Sequence, residues 1–175
     1  MRRTVFVLSL IIAFAGCADS RGAQDVLAPP PRTTQSTTNC TVSLIADGDT
    51  FDCTNGDRIR FIGIDAPEMG QQPFGAEARA ELIRVLPIGT VVQLERDKTE
   101  RDVYNRRLAY VYQDGVFMNE MIVKRGFALT ASYPPDTAKL AILRAAEQLA
   151  KASNVGLWKV DGFACIPADY RRGRC

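Results

Sequence analysis

Histidine is absent from all 175 residues of the chain. Imidazole is the usual general acid and base in enzymes and a common metal ligand, so its absence excludes histidine-based catalysis and histidine-containing metal sites. The cysteines offer no substitute, because no pair has the Cys-x-x-Cys spacing of a thiolate metal site. Acid–base or metal chemistry must therefore come mainly from carboxylates, arginines and tyrosines.

The chain also lacks a strong excess of charge of either sign. Lysine and arginine total 22 and aspartate and glutamate total 20. Removal of residues 1–16 would take away Arg2 and Arg3 and leave the numbers of basic and acidic residues equal. A neutral domain has no overall attraction for a polyanion, so any phosphate binding has to depend on local clusters of basic residues.

The apolar run from Val5 to Ala15 is too short to span a bilayer as a helix. With two arginines before it and the small-x-small triplet Ala13-Phe14-Ala15 at its end, it predicts a signal peptide over residues 1–16 and an exported protein. Cleavage after Ala15 would give a secreted protein. Phe14-Ala15-Gly16-Cys17 instead resembles a bacterial lipobox, which would make Cys17 a lipid anchor and the protein a periplasmic or cell-envelope lipoprotein. Lipidation of Cys17 would leave an even four of the five cysteines, which favours the lipoprotein.

Composition divides the rest of the chain into three parts. Residues 17–39 are rich in Ala, Pro, Thr, Ser and Gln and predict a disordered tether. Residues 40–159 are predicted to form the folded domain, and residues 160–175 a C-terminal tail. A turn at Asp47-Gly48 would bring Cys40 and Cys53 opposite each other, so we expect a disulfide there, and a second between Cys165 and Cys175 that closes a loop in the tail.

Hydrophobic periodicity predicts five strands, at residues 41–46, 49–53, 58–64, 90–95 and 107–113. Helical spacing predicts helices at 74–86 and 118–125, and a last helix from Pro134 to about Ser153. Five strands with inserted and appended helices favour an α+β, mainly β fold, specifically a five-stranded OB-fold barrel with three helices.

Acids and arginines are concentrated in three short segments. Residues 47–50 read Asp-Gly-Asp-Thr, residues 60–68 begin with Arg60 and end in Asp-Ala-Pro-Glu, and residues 100–106 end in Arg106. Each segment alone is more typical of a turn or a loop. Together they supply carboxylates for a hard cation, a carboxylate that can orient water and arginines for a phosphate, which are the parts of a metal-dependent phosphodiesterase.

With these motifs the chain resembles the staphylococcal nuclease (thermonuclease) family, over residues 40 to 158. The resemblance includes Asp-Gly-Asp-Thr at 47–50, Arg60, Asp-x-Pro-Glu at 65–68 and Tyr-x-Arg at 104–106. It continues through Leu108-Ala109-Tyr110, Asn119-Glu120, Gly126 and Gly156-Leu157-Trp158. It implies an OB-fold barrel and a Ca²⁺-dependent endonuclease that acts on DNA and RNA and leaves 3′-phosphorylated products.

The resemblance also implies a role for each matching residue. The side chains of Asp49 and Asp65 and the backbone carbonyl of Ala66 would be the calcium ligands. Glu68 would position or deprotonate the attacking metal-associated water. Arg60 and Arg106 would bind the scissile phosphate and stabilise the charge that builds on it. The predicted substrate contacts are Tyr104 and Tyr133.

Two other functions remain open from the sequence. The domain could be a catalytically inactive OB-fold binding module for nucleic acid or peptide, although such a module is expected to have lost part of the acid–arginine set. It could also be a structural envelope lipoprotein, which would leave that set unexplained. We expect a monomer, and we expect the tail arginines Arg171, Arg172 and Arg174 to be solvated rather than to contact substrate.

Overall fold

The computed structural model describes residues 37–175. The predicted signal peptide, Cys17 and the predicted tether up to residue 36 lie outside the described residues. The strands are β1 (Thr37–Ile45), β2 (Thr50–Cys53), β3 (Arg58–Phe61), β4 (Ile64–Asp65), β5 (Val91–Glu95), β6 (Arg107–Gln113), β7 (Val116–Phe117) and β8 (Leu129–Thr130). The helices are α1 (Phe74–Val85), α2 (Met118–Lys124), α3 (Leu140–Ala152) and α4 (Pro167–Tyr170), with a 3-10 helix at Gly156–Val160.

Five of the strands form a closed barrel in the order β3-β2-β1-β5-β6, as an OB-fold requires. The neighbouring pairs in this order are antiparallel, and the barrel is closed by parallel pairing of β3 with β6. Closure removes the open edges of the sheet. The predicted fold class is confirmed.

The interior of the barrel is apolar, because alternate residues of each strand point inward. Phe51 and Phe61 meet edge to face with their ring centroids 5.7 Å apart. The disulfide between Cys40 and Cys53 is present and joins β1 to β2 at the margin of this core. The first predicted disulfide is therefore confirmed.

Helices α1, α2 and α3 contribute apolar faces to the same core. Asn119 on α2 is fully buried, where its side-chain oxygen accepts a hydrogen bond from the Val111 N–H (2.9 Å) and its amide donates to the Ile62 carbonyl (2.8 Å). This side chain ties α2 to β6 and to the residue that follows β3. Of the described helices, none has the length and apolar character needed to cross a bilayer.

Element boundaries differ from the predictions at three places. The first strand begins at Thr37, ahead of the predicted start of the domain. The strand predicted over 58–64 ends at Phe61, because Gly63 adopts a φ of +78° and turns the chain before β4. The last long helix begins at Leu140 rather than Pro134, since residues 133–136 form an isolated bridge.

The C-terminal residues after the 3-10 helix fold against the domain. They contain α4 and the second predicted disulfide, Cys165–Cys175, which is confirmed. We refer to residues 161–175 as the C-terminal segment. Its four-residue helix was not predicted, because one turn is too short to leave a periodic pattern.

Candidate active site

A cavity of about 560 Å³ opens at the mouth of the barrel. Five acidic residues and three arginines line it, so its wall is rich in charge of both signs. Seven of the eight predicted site residues line this one cavity: Asp49, Arg60, Ala66, Glu68, Tyr104, Arg106 and Tyr133. The eighth, Asp65, contacts two of the arginines that line it.

Strand pairing explains why residues so far apart in sequence converge. Thr50 is paired with Arg60 across β2 and β3, which places Asp49, immediately before β2, beside that arginine. Arg60 is also paired with Leu108 on β6, so Arg106, just before β6, lies on the same side of the barrel. Asp65 is the last residue of the two-residue strand β4, which begins directly after the turn that follows β3.

Arg60 lies between two buried carboxylates. Its Nη2 donates a hydrogen bond to Asp65 Oδ1 (3.0 Å), and its Nη1 lies 2.6 Å from Asp49 Oδ2 in an ion-pair contact without hydrogen-bond alignment. The same Asp49 Oδ2 accepts the Ala66 N–H at 2.7 Å, and Thr50 Oγ1 donates to Asp49 Oδ1 at 3.1 Å. The two carboxylates among the predicted metal ligands therefore share one guanidinium.

Glycines allow the acidic segments to pack closely. A Cβ on Gly48 would lie 2.6 Å from the Cβ of Ala66 and 2.8 Å from that of Ala78 on α1. A Cβ on Gly75 would collide with the backbone carbonyl of Glu68. Side chains at these two positions would push the Asp47–Asp49 turn and the Glu68 loop away from each other and from α1.

Burial controls the electrostatics of this cluster. Burial raises the pKa of Asp49 to about 7, although the adjacent Arg60 opposes the shift. Burial also opposes the charge of Arg60, but the carboxylates of Asp49 and Asp65 outweigh it and raise the pKa of the guanidinium. The carboxylates of Asp47 and Asp65 add to the rise in the pKa of Asp49, so acidic groups are concentrated around this residue.

Arg106 is held by a tight loop. Asp102 Oδ1 accepts the backbone N–H groups of Tyr104 and Arg106, both at 2.9 Å, and Asp102 Oδ2 accepts Arg106 Nε at 2.7 Å. Asn105 supplies the left-handed residue of the turn, with a φ of +63°. Among the described residues, the two terminal nitrogens of Arg106 have no hydrogen-bond partner, so they are free to bind a ligand in the cavity.

The two tyrosines lie at the rim. Tyr104 is exposed, and the Arg106 guanidinium carbon lies 5.4 Å from the centroid of its ring. Tyr133 is also exposed and lines the cavity. Both are accessible to a ligand that enters the site.

Arg171, in the C-terminal segment, differs from the sequence-based expectation. It was expected to be solvated, but it binds both oxygens of Asp65, through Nη1 (3.0 Å) and Nη2 (2.7 Å), and its Nη1 also donates to Glu68 Oε1 (2.6 Å). Hydrogen bonds from this guanidinium to Asp65 and Glu68 raise its pKa. The expectation failed because the contact spans 106 residues of sequence. The paired cysteines around the arginines were the one sequence signal that the segment folds back.

The donor chemistry of this site fits a hard divalent cation. Asp47, Asp49 and Glu68 line the cavity, and Asp65 contacts the lining residues Arg60 and Arg171; oxygen donors of this kind suit Ca²⁺. Within residues 37–175 no three acidic or cysteine side chains form a ready-made metal cage. Guanidinium groups, not further carboxylates, surround the oxygens of Asp65.

Comparison with known proteins decides the family. A family profile described as "Staphylococcal nuclease homologue" matches residues 58–160, more than half of the chain. The chain belongs to the staphylococcal nuclease family. The matched range contains seven of the eight predicted site residues, whereas Asp49 lies before it and Arg171 beyond it.

Individual members of the staphylococcal nuclease family are similar at moderate identity. The chain is 34% identical to Endonuclease YncB of Bacillus subtilis over 145 residues, which is 77% of this chain and 68% of that protein. It is 36% identical over 133 residues to the SPbeta prophage-derived endonuclease YokF of Bacillus subtilis, covering 70% of this chain but only 45% of YokF. It is 29% identical over 126 residues to the Thermonuclease of Staphylococcus intermedius, covering 67% of this chain and 74% of that protein.

Proposed function

We propose that this protein is a calcium-dependent phosphodiesterase that hydrolyses DNA, RNA or both, as an endonuclease, and leaves 3′-phosphorylated products. The observation that carries the proposal is the convergence of Asp49, Asp65, Glu68, Arg60 and Arg106 at one cavity on a barrel of the staphylococcal nuclease family. Relatives named endonuclease and thermonuclease support the same reaction class.

The acidic side chains would hold the cation. Asp49 and Asp65 are the carboxylates on either side of Arg60, and Ala66 adjoins Asp49 through its N–H, which leaves its carbonyl as a third donor. Bound calcium would polarise the phosphate and lower the pKa of the attacking water. Asp49 is fixed by a backbone and a hydroxyl hydrogen bond, so its carboxylate is already held in place for a cation.

The arginines would hold the phosphate. Arg60 is locked at the base of the cavity by two carboxylates, and Arg106 presents its two terminal nitrogens from the opposite loop. Guanidinium groups remain protonated and bond two phosphate oxygens at once, so they stabilise the extra charge of the pentacoordinate transition state.

Glu68 would act on the water. Its backbone N–H donates to Gln71 Oε1 (2.8 Å), which fixes the loop, and its carboxylate lies at the cavity within reach of Arg171. Arg171 contacts Oε1, so Oε2 can accept a proton from the nucleophile or orient it. Tyr104 and Tyr133 at the rim would stack on or hydrogen-bond the flanking nucleotides.

We also propose that the protein is exported. Two disulfides are typical of proteins that fold in oxidising compartments. The predicted signal peptide supports the same location. Mass spectrometry of the mature N-terminus would separate a lipidated Cys17 from a secreted form that begins at Gly16, and a chain that retains Met1 would contradict export.

The site assignment is tested by single substitutions in the purified protein. In calcium, Arg106→Ala and Glu68→Gln should each lower the rate of DNA cleavage by ~10²–10³, because each removes a group that acts in the transition state. Arg172→Ala is the matched control, since the guanidinium of this arginine pairs with Asp169 on the surface, and it should cleave at the wild-type rate. Wild-type cleavage by either of the first two variants would contradict the assignment.

The inactive binding module is distinguished by the same assay. A binding module would retain DNA in a gel-shift experiment without calcium-dependent cleavage, and the two active-site substitutions would alter retention rather than rate. Analysis of the product ends then tests the direction of cleavage, for which we expect 3′-phosphates and 5′-hydroxyls.

A further inference from the structure

We propose that Arg171 is an internal counter-ion that competes with the divalent cation for Asp65 and Glu68, so that the C-terminal segment sets the calcium concentration at which the site fills. The proposal rests on the proposed function, because it takes Asp65 as a calcium ligand. Arg171 lies beyond the range that matches the staphylococcal nuclease profile, so this contact is an addition to the matched domain.

The geometry puts the guanidinium where a cation would bind. Arg171 Nη1 and Nη2 engage Asp65 Oδ1 and Oδ2 in a fork, at 3.0 and 2.7 Å. Asp65 Oδ1 also accepts Arg60 Nη2, so neither oxygen of this carboxylate lacks a cationic partner. A metal ion that coordinates Asp65 would therefore meet the positive charge of Arg171 at both oxygens and would compete with it for this carboxylate.

Several contacts dock the C-terminal segment on the Glu68 loop. Gln71 accepts the Glu68 N–H through Oε1 and donates from Nε2 to the Cys165 carbonyl at 2.8 Å, so one buried side chain joins loop and segment. Tyr170 packs so closely on Gly70 that a Cβ there would collide with its hydroxyl. These contacts of the residues before Arg171 hold the segment where Arg171 reaches the acids.

The backbone around Arg171 is fixed as well. Its N–H donates to the Pro167 carbonyl (3.0 Å), which continues α4, and the Cys165–Cys175 disulfide closes the chain on either side of it. Because the disulfide already restricts the backbone of this segment, little further backbone entropy is lost when Arg171 binds the carboxylates. Arg171 is therefore an effective competitor for them. The side chain itself is partly exposed, so it has solvent to move into when calcium displaces it.

Calorimetric titration of calcium into chelator-treated protein, without substrate, measures this competition. Arg171→Ala should bind calcium at least ~10-fold more tightly than wild type, because a charged hydrogen-bonded contact no longer has to be broken. Arg171→Lys should lie between the two, since it keeps the charge but loses the fork. Arg172→Ala is the control for a lost positive charge on the same segment, and its affinity should stay within about twofold of wild type.

Thermal unfolding provides a second readout. Without calcium, Arg171→Ala should unfold at a lower temperature than wild type, because Asp65 loses a partner. The rise in unfolding temperature on adding calcium should be larger for this variant, since tighter binding stabilises the folded state more. The metal-free melting curve also shows whether the variant is folded.

The outcomes separate the two proposals. Equal calcium affinity in wild type and Arg171→Ala, or weaker binding in the variant, would overturn the competition while leaving the calcium site in place. If no variant binds calcium and chelator does not affect cleavage, the proposed function is contradicted, and so is the competition between Arg171 and calcium. Calcium binding that is detectable only in Arg171→Ala would support the proposal and would mean that Arg171 prevents calcium from binding to the wild type in this titration.

Discussion

The charged residues of the site are arranged as alternating cations and anions around Asp65. Arg60 and Arg171 both contact it, and Arg60 also contacts Asp49. Breaking such a buried set by removal of one partner leaves an uncompensated charge, which is costly. Single substitutions at Asp49, Asp65 or Arg60 therefore change stability and chemistry together, whereas Arg106 and Glu68, which are less buried, report on chemistry more cleanly.

Asp102 offers a test at the residue scale. Although partial burial opposes its charge, hydrogen bonds from the backbone and side chain of Arg106 lower the pKa of Asp102. Asp102→Asn would place a side-chain amide opposite Arg106 Nε and release the guanidinium. We expect kcat for DNA cleavage to fall by ~10–100-fold, because misplacement of a positioning group by about 1 Å has an effect of that size.

Two measurements distinguish positioning from a general loss of structure in Asp102→Asn. Its calcium affinity should equal that of wild type, since Asp102 does not contact the predicted metal ligands. Asp102→Glu should recover part of kcat, because it restores the carboxylate. A fall in calcium affinity, or no change in kcat, would contradict a positioning role.

The convergence of most of the eight candidate residues could be predicted from the sequence, because they lie in short motifs at the ends of strands. Asp49 and Asp65 stand at strand ends, where side chains converge at a barrel mouth, so their proximity followed from the fold. Arg171 could not be found in this way. Its contact with Asp65 depends on where a C-terminal segment docks, and neither periodicity nor spacing contains that information.

At the scale of elements, helix α1 is joined to the end of α2 by an ion pair of Glu81. Glu81 on α1 is buried and binds Arg84 Nη2 at 2.7 Å and the side chain of Arg125, which follows α2. Burial opposes the charge of Glu81, but hydrogen bonds from Arg84 and Arg125 outweigh it and lower the pKa. A group with a lowered pKa in the folded state stabilises the protein above its ordinary pKa, and this contribution is lost as the pH falls through the lowered value.

Glu81→Gln should therefore destabilise the protein by about 1–3 kcal/mol at pH 7, and by less at pH 3, which lies below the ordinary pKa of glutamate, so that part of the contribution is already lost. Urea unfolding of chelator-treated protein at the two pH values measures the difference. Glu77→Gln, at an exposed position of the same helix, is the control and should change stability little at either pH. An equal loss for Glu81→Gln at both pH values would show that the charge does not matter.

The elements differ in how well the sequence predicted them. The strands β2, β5 and β6 and the helices α1 and α2 were predicted within a few residues, because their apolar residues have a clear period. The two-residue strands β4, β7 and β8 were not, since a pair of residues has no period. The start of α3 was placed too early because Pro134 and Pro135 resemble a helix start but form a turn that brings Tyr133 and Asp136 together.

At the scale of the whole molecule, barrel closure is what assembles the site. The parallel pairing of β3 with β6 brings Arg106 to the same mouth as Arg60, although 46 residues separate them in sequence. The C-terminal segment then covers one side of that mouth. Because lysine and arginine nearly balance the acidic residues over the whole chain, substrate attraction depends on the local arginines rather than on net charge.

We propose that the acids and arginines at the barrel mouth cleave nucleic acid with calcium. The most direct measurement is the rate of cleavage of DNA and RNA by the purified wild-type protein in calcium and in excess chelator. We predict cleavage in calcium, its loss in chelator, and its recovery when calcium is restored. A protein that leaves both substrates intact in calcium, or that cleaves equally well in chelator, would contradict the claim.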